Sequence, residues 1–531
     1  MGTYFSGGSI WSRYGERVSS LRISDGLIAG LNCEAIAGDE IVDLDGGFLA
    51  PAFIDGHAHP LFAGRESQGP LVNGLQSVEE ILAEVNRFAE ANPQAKWIVG
   101  GAYEAAIVAG GDFLASWLDE AVPNRPVLLH AVDHHTIWVN SRALEIAGIT
   151  SATEDPDGGT IARNPDGSPR GTLREPSAFS LITSHIPART IDDDVQAIAW
   201  SGTRYLESGV AAASDCWVEP GMTEAYIAAS RSGLLEIDYD LAFLAQPDSW
   251  RERTGYFAEK RRDVESLGAN SRLTAKTIKF ICDGALSSGT AALLEPYLDD
   301  PASSGLLIWR DEEILGAALH FDKQGYQLHI HAIGDAAVKQ ALNTVEQVIT
   351  LNPMWDRRPV IVHAQLIDQA DLPRFAALGV IVNFQPLWMY LDPMNKELIA
   401  PRIGEKRNNR QYQIATLVKS GAKISYGSDW PITTQIPLAA LGVPTHRQSP
   451  DRLPPDGWSG HESISVEESL SFYTAGAAHQ TFREGSSGTL KVGLEADLVH
   501  LSADPLTCDP HEITQIRVLS TYKAGKRHQF S

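Results

Sequence analysis

The segment Phe53-Ile54-Asp55-Gly56-His57-Ala58-His59-Pro60 ends an apolar run in two imidazoles separated by one residue. Side chains alternate along a strand, so His57 and His59 project to the same face, an arrangement suited to sharing a divalent cation. An HxH pair is weak by itself, but histidine or acid recurs at the ends of later apolar runs. Leu328-His329-Ile330-His331 and Val360-Ile361-Val362-His363 each deliver imidazole, and Ile424-Ser425-Tyr426-Gly427-Ser428-Asp429 delivers a carboxylate. Any one of these alone reads as a core histidine or a helix cap. Four such ends at one rim read as a metal site. Lys279, within Thr277-Ile278-Lys279-Phe280-Ile281, sets an ammonium in an apolar run. Burial depresses the pKa of such a group, and a neutral amine can take up carbon dioxide to give a carbamate with two oxygens for bridging two cations. Reaching solvent, or pairing with Asp283, is the equal alternative.

These residues need a frame that gathers strand ends at one rim. Short apolar runs alternate with helical patterns over 78–91, 192–208, 312–323 and 336–350, which predicts a parallel sheet with helical crossovers. The strand candidates are 52–54, 210–214, 238–244, 277–281, 327–330, 360–362, 380–383 and 424–426. Eight strands close a (β/α)8 TIM-type barrel, with all C-terminal ends at one mouth. The runs 97–100 and 127–131 are set aside in an inserted segment of about 60–195, expected over that mouth, with a turn-rich stretch from 154–159 through 164–167. Both chain ends alternate apolar and polar residues between turns, and neither is long enough for a core of its own. Residues 1–50 plus 485–531 are therefore expected to form a small composite β-sandwich domain, leaving 51–484 to the barrel.

Composition excludes several classes. The 531 residues carry 67 acidic and 43 basic side chains, a net charge of −24, with no broad basic stripe. Nucleic acid is thus an unsuitable partner, an anionic membrane surface repels the chain, and a small-molecule substrate is expected. Four scattered cysteines without a CxxC pair argue against a thiolate zinc knuckle or a disulfide framework. With neither a signal peptide nor a spanning run in the sequence, a cytoplasmic location is expected, and a homodimer is the default assembly.

The chain resembles the amidohydrolase superfamily, in its amidohydrolase 3 branch of YtcJ-like metal-dependent hydrolases, which includes N-substituted formamide deformylase. The resemblance runs nearly end to end. Its motifs are Asp55-Gly56-His57-Ala58-His59, Asp133-His134-His135 through Asn140-Ser141-Arg142-Ala143-Leu144, Gly171-Thr172-Leu173-Arg174-Glu175, and Lys279 through Asp283-Gly284. They continue with His331-Ala332-Ile333-Gly334-Asp335, His363-Ala364-Gln365, Gly427-Ser428-Asp429-Trp430-Pro431 and Gly493 through Leu498. The resemblance implies a binuclear metal centre in which His57, His59 and Asp429 bind one ion, His331 and His363 a second, and carboxylated Lys279 bridges them. The family does not always fill both sites, so one or two ions are implied. Zinc is the default, with iron, manganese or nickel also suited to these donors. A metal-bound hydroxide would attack a polarised carbonyl, with Asp429 as general base and acid.

His329 shares a strand face with His331, and family register favours His331 as the ligand. Gly334 stands where deaminase relatives carry a proton-shuttling Glu, which disfavours a nucleobase-type deaminase. His135, Asn140, Arg174 and Glu175 read as lining the substrate pocket or bracing the insertion. Trp388, Tyr390 and Trp430 follow late strands and could form an apolar wall for an aromatic or alkyl group. The expected function is hydrolysis of a non-peptide carbon–nitrogen bond, of amide or N-substituted formamide type. A lactone or ester hydrolase using the same site is the first alternative. A catalytically inactive small-molecule-binding regulator is the second, and the competent residue at every ligand position counts against it.

Overall fold

The computed structural model of the protein describes residues 2–132, 134–156 and 159–530. Asp133 of the 133–144 motif, and Asp157 and Gly158 of the turn-rich stretch, lie outside the described residues. The chain divides into two compact units, one of residues 1–59 with 202–531 and one of residues 60–201.

In the first unit, eight strands form one sheet in sequence order: β1 (Phe53–Ala58), β2 (Val210–Val218), β3 (Asp238–Leu244), β4 (Leu273–Ile281), β5 (Gln327–Ala332), β6 (Val360–His363), β7 (Ile381–Phe384) and β8 (Lys423–Tyr426). Every neighbouring pair is parallel. The strands are buried along nearly their whole length, as a parallel sheet covered on both faces requires. Crossover helices supply the cover, among them Asp311–Lys323 before β5 and Asp335–Leu351 after it. The first opens with Asp311, Glu312 and Glu313, acids that complement the positive end of a helix dipole.

The sheet closes just past β8. There the Asp429 amide donates to the His57 carbonyl at 2.8 Å, and the His59 amide donates to the Trp430 carbonyl at 2.7 Å. So close a seam needs a glycine: a Cβ on Gly427 would lie 2.6 Å from the His57 nitrogen and 2.6 Å from its Cβ.

The two chain ends meet in a six-stranded sheet ordered Lys526–Gln529, Val518–Lys523, Leu498–Leu501, Phe48–Pro51, Ser9–Arg13 and Glu16–Val18. A four-stranded sheet of N-terminal strands accompanies it, and Phe5, Ile10, Leu21, Leu49, Leu498 and Tyr522 share one core. Lys523, buried, donates to Asp238 at the start of β3 at 2.7 Å, to Asp497 at 2.8 Å and to Glu495 at 3.2 Å.

The second unit contains a five-stranded sheet ordered Thr160–Arg163, Pro169–Arg174, Thr136–Val139, Val127–Ala131 and Ile98–Tyr103. It takes up the two apolar runs that the barrel does not use. Helix Val78–Ala91 is capped by Ser77, whose side chain accepts from the Glu80 amide. Among the described residues no helix is long and apolar enough to cross a membrane, and Cys33, Cys216, Cys282 and Cys508 are free thiols.

Candidate metal centre

The C-terminal ends of the barrel strands place His57, His59 and Asp429 together. Their ligand atoms lie within 4.8 Å of one another, with His57 Nε2 at 3.4 Å and His59 Nε2 at 3.0 Å from Asp429 Oδ1. His363 joins from β6, its ring 5.2 Å from that of His57, and His331 from β5 lies 4.6 Å from His363. His363 and Asp429 both hold left-handed backbone, at φ 72° and 57°. Non-glycine residues adopt such conformations at some energetic cost, most often where function fixes them.

Lys279 points inward from β4. Its side chain is buried, and Nζ has no hydrogen-bond partner among the described residues. Burial lowers its pKa to about 8, which raises the share of neutral amine. Burial likewise holds His57 and His363 down at about 3 and His331 well below the usual imidazole range, so all three are neutral donors. Burial alone would raise the Asp429 pKa, yet hydrogen bonds from His57 and His59 hold it well below the ordinary carboxylate range. Neutral imidazoles, an ionised carboxylate and an unsatisfied buried amine form a donor set that fits a divalent cation.

A second layer orients these donors. His329 pairs in register with Lys279, stacks on His57 with the rings 5.0 Å apart, and brings Nε2 to 2.9 Å from His57 Nδ1. The structure therefore gives the two β5 histidines different neighbours: His329 backs His57, while His331 lies against His363. Gln385 Oε1 lies 2.7 Å from His363 Nδ1, and Gln385 is itself tied to Asn383 at 3.0 Å. With Nδ1 as donor to that carbonyl, His363 keeps its Nε2 lone pair for a cation.

Asp55 accepts from the Ser428 amide at 2.9 Å, the Ser428 hydroxyl and the Tyr205 hydroxyl at 3.1 Å, and so ties β1 to the residue before Asp429. Burial raises its pKa to about 6. Asp283 accepts from the Ala292, Ile333 and Gly334 amides at 2.9, 3.0 and 2.8 Å, fixing the loop that follows His331. Cys216 Sγ sits near His57 and His329, and burial keeps it a thiol. None of Asp55, Cys216 or Gln385 stands out in the sequence as a site residue, because each gains its role from a partner on another part of the barrel.

The remaining candidates fall in several places. Trp388 stacks on His363 at 5.4 Å and 7°, and Trp430 meets Tyr205 edge-on at 5.1 Å. Tyr390 lines a separate cavity with His446 and His511. In the 60–201 unit, His135 Nδ1 and Glu175 Oε2 pair at 3.0 Å, and Arg174 bonds Asp112 at 2.5 Å. Asn140 caps the helix Ser141–Ile146 and bonds the backbone of Val122, Arg125 and Val127, which accounts for it as a structural residue.

Residues 40–528 match the sequence model of a family described as "Amidohydrolase family". The putative amidohydrolase YtcJ of Bacillus subtilis is 28% identical over 99% of this chain and 99% of its own length. The N-substituted formamide deformylase of Arthrobacter pascens is 26% identical over 95% of this chain and 93% of its own. A crystal structure of an uncharacterized metal-dependent hydrolase from Pyrococcus furiosus superposes with a TM-score of 0.74 at 25% identity, covering 96% of this chain and 100% of that one.

Proposed function

The chain belongs to the amidohydrolase family, and from that footing we propose that it is a metal-dependent hydrolase of a non-peptide carbon–nitrogen bond, of amide or N-substituted formamide type. The observation that carries the reading is the meeting of His57, His59 and Asp429 where β8 closes on β1, in a barrel that also buries the unsatisfied Lys279 amine. In this reading His57, His59 and Asp429 would hold one ion, His331 and His363 would hold a second, and Lys279, if carboxylated, would serve both, with zinc the default for such donors. When bound, a divalent cation supplies Lewis acidity, acidifying water and polarising a carbonyl.

The chain's own groups do the rest. With its proton on Nδ1, toward His329 for His57 and toward Gln385 for His363, each ring would present its Nε2 lone pair to a cation, the His57 contact to Asp429 giving way to the shared ion. Asp429 turns Oδ1 to the two imidazoles. Asp429 would take a proton from the attacking water and pass it to the departing nitrogen. The relationship to N-substituted formamide deformylase supports a formamide or related amide as substrate.

The test is elemental analysis of protein purified without added metal, together with turnover of N-substituted formamides, N-acyl amines and lactones by wild type, Lys279→Ala and His57→Ala. The expected result is about two ions per chain, fewer in Lys279→Ala, and activity on the amide series lost in both variants. An active Lys279→Ala protein with a single ion would overturn the carbamate bridge. Protein that takes up no metal on supplementation would overturn metal dependence, and turnover of lactones alone would overturn the choice of bond.

A further inference from the structure

We propose that a cavity of about 340 Å³, enclosed by the turn after β7, the segment after β8 and the C-terminal turn Pro510–Gln515, binds a small organic carboxylate, and that the occupant steadies a ligand of the metal centre. The steadying rests on the metal reading above; binding in the cavity does not depend on it.

Three basic residues, His446, His511 and Arg452, line the cavity, and no Asp or Glu does, in a chain with a net charge of −24. Local hydrogen bonds fix how the two imidazoles are used. The Gln448 amide donates to His446 Nδ1 at 3.0 Å, so neutral His446 carries its proton on Nε2, which has no hydrogen-bond partner among the described residues. The Gln448 side-chain nitrogen donates to the Pro454 and Pro455 carbonyls at 3.0 and 2.6 Å, which leaves Oε1 to accept the His511 Nε2 proton at 2.8 Å. The two rings stack, with centroids 3.8 Å and planes 14° apart. Arg452 meets Asp509 at 3.3 Å, outside the lining, and keeps further guanidinium N–H groups for a ligand. Uncommitted donors beside a guanidinium suit an anion. Leu387, Val443 and Pro510 add apolar wall, which suits a carboxylate with a hydrocarbon body and gives nothing to a fully hydrated ion such as phosphate.

One turn borders both the cavity and the metal centre. Leu387 and Tyr390 line the cavity, whereas Trp388, between them, stacks on His363 at 5.4 Å, and Gln385, at the start of the same turn, lies 2.7 Å from His363 Nδ1. An occupant packed on Leu387 and Tyr390 restrains the turn that carries Gln385 and Trp388, and so favours the ring orientation that a cation needs. By reciprocity, the carboxylate and the metal then tighten each other's binding.

The experiment titrates the full-length protein calorimetrically with 3-phenylpropanoate, 3-phenylpropanol, acetate and inorganic phosphate. The first should bind at least about tenfold more tightly than the other three. Thr514→Trp, at an exposed position in the lining, should abolish binding. Arg452→Ala, which gives up only an exposed ion pair, should weaken it about fivefold or more without a change in melting. It decides alone should Thr514→Trp not fold. A carboxylate could also sit on a metal ion, and His57→Ala separates the two places: 3-phenylpropanoate should still bind that variant, within about tenfold of wild type. Equal binding of the alcohol or phosphate, wild-type affinity in the folded cavity variants, or loss of binding in His57→Ala overturns the site.

Chelator competition reads the link to the centre. Saturating 3-phenylpropanoate should make wild type hold metal about fivefold more tightly, and should leave Thr514→Trp, or Arg452→Ala at the same concentration if that variant stands in for it, less affected. An unchanged metal affinity in wild type overturns the steadying of His363. If the protein takes up no metal at all, the function proposed above fails and the steadying falls with it, while the titrations judge the cavity by themselves.

Discussion

A neutral imidazole serves a cation only if its lone pair points the right way, and at His363 that direction is set by Gln385. Replacing Gln385 with Leu keeps much of the volume but removes the carbonyl that accepts from Nδ1 at 2.7 Å. Metal affinity should fall about 10- to 100-fold while the protein stays folded. Competition against a chelator measures this, and an unchanged affinity would mean that Gln385 does not orient the ring. The contrast with the ligand candidates explains what could be read in advance. His57, His59, Lys279, His363 and Asp429 are visible as polar residues interrupting or ending apolar runs. Gln385 and Asp55 are ordinary polar residues until folding brings His363 and Ser428 to them. The choice between His329 and His331 had the same difficulty: both lie on one strand face, and only their partners tell them apart.

Among the elements, the seam between β8 and β1 is the piece on which the site depends, since it brings Asp429 beside His57 and His59. Gly427→Ala would place a methyl group 2.6 Å from His57 backbone and side-chain atoms. Overpacking of this kind costs about 1–3 kcal/mol. The variant should melt earlier and retain less metal than wild type, read by thermal unfolding and elemental analysis on the same preparation. Wild-type melting and metal content would show that the seam can relax. The barrel strands were legible as apolar runs, but their ends were not. β1 extends through Ala58 and β2 through Val218, whereas the runs stop at Ile54 and Ser214. The ladder continues where the side chains turn polar to serve the site, so the apolar signal fades at the strand ends that matter most for chemistry.

Over the whole molecule, one buried cation joins the terminal sheets to the base of the barrel. Asp238, Glu495 and Asp497 lie close enough to grip a positive charge, and Lys523 supplies it. Arg483 adds a second contact to Asp238 at 2.8 Å. Lys523→Met would leave buried carboxylates with too little counter-charge, a loss of about 3–5 kcal/mol. Denaturant unfolding should show it as a lower midpoint, and an unchanged midpoint would mean that Arg483 alone suffices. The sheet that Lys523 helps to anchor pairs Phe48 with Leu501, partners at nearly opposite ends of the chain. On a ribosome adding about 5–20 residues per second, Phe48–Pro51 would emerge roughly 20–90 s before Leu498–Leu501 is made. For that interval one edge of an apolar strand has no mate. Birth of this protein thus includes a waiting period, in which early-made segments must be kept from pairing with other chains until the last residues arrive.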